Sequence, residues 1–440
     1  MRRPPRICFI GGGSYQWARN LVRDILVHPD LDGCQITLQD IDPEPLQVML
    51  PLARKMAEAA GREVRLHATT DLAEALDGAD YVILSITTGG LESMRQDLEV
   101  PQRYGIYQSV GDTVGPGGLS RALRTIPVVV EIAQAIERHA PNAWLLNLTN
   151  PMTTLCRAVN RTTSVATIGL CHELVGALQS FVAPILGVED LGRLQVQVAG
   201  VNHLIWILGM RLDEADALAL LRERIGQIEP DSDDEPASSL LRANAIKIAL
   251  WQRYGALPAA GDRHLIEFFP YFLKPETERG PFSGVHLTTI EERYEWLARW
   301  KARAHAWLDG SEAIDRQPSS EPIAPIIAAL HYGAPRVQVM NLPNTGQIPG
   351  FPSGAVLETM GIVDGYGARP FAVGDIPPGI STVLERHVSN QELIVEAALR
   401  GDRSLALEAL VNDPLVTDFD TAPRLLDDLI EANRRYLPQF

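Results

Sequence analysis

Long apolar runs are missing from this chain of 440 residues: no uninterrupted stretch reaches the length of about 18 that a membrane span requires, so no span is expected. Cysteine is scarce. Its four occurrences, Cys8, Cys34, Cys156 and Cys171, form no CxxC pair and no metal-knuckle spacing. That excludes a small disulfide-stapled domain and fits a reducing cytoplasm. Basic charge is in deficit, with 39 Lys and Arg against 55 Asp and Glu and a net charge of −16, which argues against a nucleic-acid surface. The amino-terminal MRRPPRICFIGGG begins basic, but glycines interrupt its short apolar run, so it does not read as a signal peptide. No internal repeat and no low-complexity tract stands out.

What is present reads as a globular protein of more than one domain, with 46% hydrophobic and 21% charged residues. Over the first 170 residues, β-branched apolar runs alternate with helical stretches. The runs ICFI (7–10), QITLQD (35–40), EVRLHAT (63–69), YVILSIT (81–87), WLLNLT (144–149) and SVATIGL (164–170) predict buried parallel strands. Helices are expected at 44–60 and 120–139, giving a doubly wound, Rossmann-like α/β sheet with ligands at the carboxyl ends of its strands. Beyond about residue 190 the pattern changes. Residues 194–212 predict antiparallel strands, helices follow at 214–226, 238–254, 289–309 and 321–330, and PDSDDEP reads as a solvated acidic loop. Segment 336–361 is rich in Pro and Gly with short apolar pieces, and 391–435 is largely helical. The expected division is a nucleotide-binding domain over 1–195 and a mixed α+β domain for metal, substrate and oligomerisation over 196–440.

IGGGSYQ follows the first strand and opens a helix, the context a dinucleotide fingerprint needs. Gly11 allows the tight turn, Gly13 allows close approach of a pyrophosphate, and Ser14 stands at the helix start, although Gln16 occupies the place of the third glycine. The second strand ends in Asp40, whose carboxylate would bind ribose hydroxyls and repel the 2′-phosphate of NADP. NAD is therefore the expected cofactor; Asp42 competes for the same role. A simple glycine turn in an α/β protein is the alternative.

Polar clusters stand where the strands end: TTGG with Thr87, LTNP with Asn150, Cys171-His172-Glu173, and Asn202-His203. Strand ends converge in space, and a thiolate with an imidazole suits a divalent metal. A packed core thiol accounts for Cys171 equally well, and a satisfied sheet-edge histidine for His203. Cys171 and His172 point to opposite faces if both lie on a strand, so they are not expected to share one ion. Asp112 lies in a glycine-flanked loop before a helix, as a loop cap or as an acid or base. Asp262-Arg263-His264 follows a Pro/Gly turn, and spacing alone assigns none of the three a role.

Through ICFIGGGS, LQDID, GDTVGPGGLSRALRTIP, LTNP, GLCHE, AGVNHLIW, YGALPAAGD and, more weakly, NLPNTGQIPGFP, the chain resembles glycoside hydrolase family 4 over most of its length. That resemblance implies a fold like lactate and malate dehydrogenases. It implies redox-assisted elimination by a retaining α-glycosidase: NAD takes a hydride from C3, a base removes the acidified C2 proton, the aglycone leaves, water adds and the hydride returns. A divalent ion, manganese in this family, polarises the C2 and C3 oxygens. A thiolate favours a softer ion, so manganese follows from the resemblance alone. Carried over, Cys171 and His203 hold the metal, Asn150 and His172 contact substrate, Asp262 is the C2 base, and Asp112 is the acid assisting the leaving group.

His172 after the cysteine, and Arg95 displaced by one place with Met94 in the expected slot, disfavour a phosphosugar. Glu173 after Cys-His resembles the α-glucuronidase variant of the motif, while GDTVGPGG is galactosidase-like. An α-hexuronide, glucuronide or galacturonide, is therefore expected, with Arg95 or Arg263 facing its carboxylate. α-Galactosidase and α-glucosidase activities stand as alternatives within the family, and a 2-hydroxyacid dehydrogenase or a non-catalytic NAD-linked sugar sensor outside it. The expected partner is a small-molecule glycoside, without nucleic acid or membrane, in a cytoplasmic homodimer or homotetramer.

Overall fold

The six apolar runs of the first 170 residues all form strands, with ends that differ from the runs by up to three residues. They are β1 (Arg6–Ile10), β2 (Gln35–Gln39), β3 (Arg65–Thr69), β4 (Tyr81–Leu84), β5 (Trp144–Asn147) and β6 (Ala166–Gly169). All pair in parallel, in the spatial order β3-β2-β1-β4-β5-β6. Alternation along each strand feeds two cores. Ile7, Phe9 and Ile83 pack with helices Trp17–Val27 and Pro43–Ala60 on one face. Cys8, Ile10, Val82 and Leu84 pack with helices Gly115–His139 and Met152–Thr162 on the other. This is the doubly wound, Rossmann-like arrangement. The structure is a computed structural model and describes residues 3–228 and 236–440; most of the acidic PDSDDEP stretch lies outside the described residues.

The second half continues the same sheet. Strands β7 (Leu194–Val201) and β8 (Leu204–Leu212) form the expected antiparallel pair, flanked by short β9 (Ala215–Asp216) and β10 (Leu257–Pro258). The Pro/Gly-rich 336–361 region contains two full strands, β11 (Arg336–Pro343) and β12 (Val356–Asp364), with β13 (Gly367–Pro370) on the edge. β12 joins β7 through Glu358↔Gly200 and Thr359↔Ala199, and β11 joins β6 through Asn341↔Gly169. The result is one 13-stranded sheet, parallel at one end and antiparallel at the other.

Helix bounds differ from expectation where local chemistry intervenes. The helix expected at 120–139 starts at Gly115, because Pro116 suits a first turn and Asp413 accepts from the Gly115 amide at 2.8 Å. The helix expected at 238–254 is split at Asn244 into Pro236–Ala243 and Ala245–Tyr254. The carboxy-terminal helical region resolves into Pro378–Arg400, Arg403–Asn412 and Ala422–Ala432, the first packing on Gly115–His139. No helix among the described residues is long and apolar enough to cross a membrane.

Candidate active site

The loops after β1, β4, β5 and β6 carry most of the residues singled out above. At β1 the chain turns through Gly11 at φ 88°, where a side chain would run into the backbone carbonyl of Ser85. The amides of Gly11 and Gly12 both donate to the Gln39 carbonyl, at 2.9 and 2.8 Å. Gly13 donates its amide to Asp40 Oδ2 at 2.9 Å, and a Cβ there would lie 2.7 Å from that oxygen. Asp40 thus braces the glycine turn. Ser14 Oγ accepts from the Trp17 amide at 3.0 Å at the start of the first helix. The 87–90 turn after β4 is held from below by helix Gly115–His139: Arg124 Nε donates to the Thr88 carbonyl at 2.9 Å, and Arg121 Nη2 reaches Thr87 Oγ1 at 3.5 Å. Arg124 and Asp97 form a bidentate pair with both side chains fully buried.

Asp112, Asn150, His203 and His264 come together beyond these loops. Asp112 accepts from Thr113 Oγ1 at 2.7 Å and from Asn150 Nδ2 at 3.2 Å. Burial works against its ionisation, but the imidazoles of His264 and His203 and the Arg121 guanidinium outweigh that and hold the carboxyl well below the usual range. His203 sits in the β7–β8 turn with φ 66°, a left-handed conformation that swings its ring inward, and its Nδ1 meets Thr113 Oγ1 at 2.8 Å. Its ring stacks on that of His264 with centroids 3.7 Å apart. Burial, and then His264, lower the His203 pKa to about 3, which keeps the imidazole neutral. One ligand atom each from Asp112, His203 and His264 lie within 4.8 Å of one another.

Cys171 lies two residues beyond the end of β6 and is buried, with its thiol pushed well above its ordinary value by burial and by the carboxylates of Glu358 and Glu173. Among the described residues it is not part of the Asp112–His203–His264 group, although Asn202, adjacent to His203, lies beside it. The donor set of thiol, imidazole and carboxylate fits a divalent cation. Buried polar atoms without a hydrogen-bond partner also gather here: His264 Nδ1, Asn150 Oδ1, and both side-chain heteroatoms of Asn202. Such atoms are costly to leave unpaired, and a bound ion or sugar hydroxyls would satisfy them.

Glu173 links the two halves of the site. It accepts from the Gly261 amide and lies 4.0 Å from His264 Nε2, with its pKa lowered because the imidazoles of His264 and His203 and that amide overcome burial. His172 is half-exposed, and its Nδ1 meets Glu321 Oε1 at 2.9 Å; that hydrogen bond raises its pKa. Asp262 stands one residue after Gly261, where its carboxylate accepts from the amides of Ile246 at 2.8 Å and Lys247 at 3.1 Å. Burial raises its pKa, with the Lys247 ammonium opposing.

The arginines separate into two kinds. Arg95 lies on helix Gly90–Gln102 among Glu291, Glu99 and Glu92, at 2.8, 3.0 and 3.5 Å. Arg263 makes no ion pair among the described residues; it donates to Thr288 Oγ1, and its Nε is buried without a partner. The sequence pattern missed Arg121, Arg293 and Glu267. Arg121 lies inside the GDTVGPGGLSRALRTIP stretch, which gives it no role, whereas Glu267 and Arg293 sit in helices without a motif around them, and only the fold brings those two to the 109–113 loop. Glu267 Oε1 accepts from the Val110 and Gly111 amides at 2.7 and 2.9 Å.

A doubly wound sheet carrying a glycine turn on β1 and a buried Asp–His–His group with a nearby thiol at its strand ends defines an α/β enzyme with a candidate metal centre. Residues 6–188 match the family described as "Family 4 glycosyl hydrolase", and residues 198–416 match "Family 4 glycosyl hydrolase C-terminal domain". The chain belongs to glycoside hydrolase family 4. It is 38% identical over 449 residues to an alpha-galacturonidase of Thermoanaerobacterium saccharolyticum, covering 98% of this chain and 96% of that one. It is 36% identical to an alpha-galacturonidase of Bacillus subtilis, covering 97% of both, and 30% identical to an alpha-galactosidase of the same organism, covering 99% of both. Among solved structures, a 6-phospho-alpha-glucosidase from gut microorganisms in complex with NAD and Mn2+ superimposes with a TM-score of 0.84 at 23% identity, covering 99% of both chains. A Plasmodium falciparum malate dehydrogenase aligns with a TM-score of 0.51 at 11% identity over 91% of this chain and 99% of that one. These two likenesses concern the fold.

Proposed function

We propose that this family 4 glycosidase is an NAD- and divalent-metal-dependent α-hexuronidase whose substrate is an α-galacturonide. The observation that carries the reading is a half-buried Arg263 guanidinium beside Arg293, with its Nε buried and unpartnered and no carboxylate partner among the described residues, in a chain that is 34–38% identical to four alpha-galacturonidases along nearly its whole length. A half-buried, unpaired cation of this kind matches the carboxylate that distinguishes a galacturonide from a galactoside. Arg95, already compensated by three carboxylates, is poorly placed for that role.

The glycine turn braced by Asp40 receives the cofactor, and Cys171 and His203, with His264 and Asp112 alongside, hold the ion. His203 keeps Nε2 available because Nδ1 faces Thr113. When bound, NAD supplies a hydride acceptor and the ion polarises the sugar hydroxyls. Asp262 removes the C2 proton. Burial makes its carboxylate more basic, and the two amides of the Ala245–Tyr254 helix hold it in place. Asn150 offers an unpaired Oδ1 to a sugar hydroxyl while its Nδ2 holds Asp112. Asp112 is held ionised, so it serves as an acceptor and ion-facing carboxylate more readily than as the acid assisting the aglycone.

The test is release of nitrophenol from the α-galacturonide, α-glucuronide, α-galactoside and α-glucoside under reducing conditions, with NAD and Mn2+ present and each withheld in turn. Turnover of the galacturonide that needs both additions is the expected result. Turnover of only a neutral glycoside would overturn the hexuronide reading, and turnover without either addition would overturn the mechanism.

A further inference from the structure

Arg293 shares the situation of Arg263 without having been marked by any motif. It lies in the first turn of the helix Ile290–Asp309, which begins at a capping box between Thr289 and Glu292. Immediately before the box, the Thr288 amide donates to the Ser109 carbonyl at 3.1 Å, and the Thr288 hydroxyl receives Arg263 Nη2. Arg293 Nη2 reaches the Val110 carbonyl at 3.4 Å. From the other side, Ser109 Oγ donates to the Arg263 carbonyl, and Glu267 holds the next two amides of the loop. Two helices are thereby fastened to the 109–111 segment, each bringing one guanidinium to it. Asp112 is the next residue along.

Neither guanidinium is held by a paired carboxylate among the described residues, although Arg293 lies over the Trp296 ring at 5.9 Å from its centroid. Among the described residues, Arg263 and Arg293 take part in no ion pair, and the Nε of each is buried without any hydrogen-bond partner. Burial pulls Arg293 below its ordinary value and the nearby Arg263 charge adds to this, while Asp112 and Glu267 oppose. Asp112 itself is already engaged by Asn150 and Thr113. Two like charges half out of water with free N–H groups are a costly arrangement for a protein to keep. A planar carboxylate repays it, since each guanidinium offers a fork of donors that matches carboxylate geometry.

We propose that Arg293 and Arg263 together form the seat for the C6 carboxylate of the sugar, with Arg293 the residue that sets the preference for a uronide over the neutral hexoside. This rests on the hexuronide reading above. The 109–112 loop then has two duties: its carbonyl at Val110 aims Arg293, and its Asp112 faces the histidine pair. Carboxylate recognition and the reacting centre are held by one piece of backbone.

The experiment uses the full chain with NAD and Mn2+ and compares wild type, Arg293→Lys and Arg293→Gln on three substrates: nitrophenyl α-galacturonide, its C6 methyl ester, and nitrophenyl α-galactoside. Thermal midpoint and NAD binding establish that each variant is folded. In the Gln variant, kcat/KM for the galacturonide is expected to fall roughly 100-fold relative to the methyl ester, the scale of a lost charge-assisted hydrogen bond, with most of the change in KM. The Lys variant keeps the charge but not the fork and falls between; it carries the same comparison should the Gln variant not fold. Equal losses on the acid and the ester would overturn the proposal by making Arg293 a structural residue, as would no loss on either. Wild type that releases nitrophenol from the galactoside but from no uronide overturns the hexuronide reading itself, and is seen before any variant is made.

Discussion

The imidazoles of His203 and His264 lie stacked, their centroids 3.7 Å apart and their planes inclined by 27°. One ring comes from the β7–β8 turn and the other from the helix Asp262–Phe268, so the contact ties the antiparallel sheet to the segment carrying Asp262 and Arg263. The His203 ring, kept neutral by burial, stacks on His264 with Asp112 beside them, an arrangement of donors suited to a cation.

Replacing His264 with Asn should therefore weaken the binding of Mn2+ by roughly 10- to 100-fold if His264 stands in or against the coordination sphere. Cys171→Ser should weaken it at least as much. Calorimetric titration of Mn2+ into the NAD-loaded enzyme measures both. Unchanged affinity in the Cys171 variant would remove the thiol from the site.

Gly13→Ala should lower NAD affinity by roughly tenfold or more, because the new methyl would lie 2.7 Å from Asp40 Oδ2 and 2.8 Å from Pro45 Cβ and would displace the brace of the turn. Fluorescence titration with NADH reads the change. An affinity equal to wild type would show that the turn tolerates the methyl and that the cofactor does not use its backbone.

Breaking the Asp97–Arg124 pair with Asp97→Asn should destabilise the fold by about 3–5 kcal/mol, since it strands a fully buried guanidinium. The 87–90 turn hangs from the same arginine, so weaker cofactor binding should accompany the lower thermal midpoint. Denaturant unfolding and NADH titration of one preparation test the two effects together.

Glu267 predicts a pH effect with a definite sign. Burial raises its carboxyl from the ordinary 4.5 to about 7, with the loop amides opposing. Below that ordinary value the carboxyl is protonated in both the folded and unfolded chain and costs nothing. Above about 7 it is ionised in both, and the folded state carries the whole penalty, on the order of 3 kcal/mol. Stability is thus lost as pH rises through this window. Glu267→Gln removes the term, so its midpoint relative to wild type should rise between about pH 5 and pH 8. A pH-independent difference would show that Glu267 does not titrate in this range.

The first half of the fold was legible because its strands are covered on both faces and so appear as uninterrupted apolar runs such as YVIL. β11 and β12 were not, because they carry buried polar residues where a period of two should show. Asn341, Glu358 and Thr359 are each at most 2% exposed, and they hide the pattern. In the site, Asp112, Asn150, Cys171 and His203 announced themselves at strand ends and glycine turns. His264 lay in a noticed triplet but had no role until the fold stacked it on His203. Glu267 and Arg293 stand in helices with nothing around them to mark chemistry, and their meaning depends on a loop more than 150 residues earlier in the chain.

The two ends of the long sheet meet at one ladder pair, Asn341 against Gly169. Gly169 has no room for a side chain, with Asn341 Cβ, Cys156 Sγ and Met152 Cγ all within 3.0 Å of where its Cβ would stand. Asn341 in turn donates to Glu358 at 3.1 Å and nears Met152 Sδ at 3.4 Å. For anyone recombining relatives of this chain, that contact is the joint that must match. A cofactor half and a sugar half drawn from different parents can be spliced in the connection before β7, but the hybrid inherits its alignment of cofactor against sugar from whether the parent of β11 supplies a residue that closes on the glycine of the parent of β6.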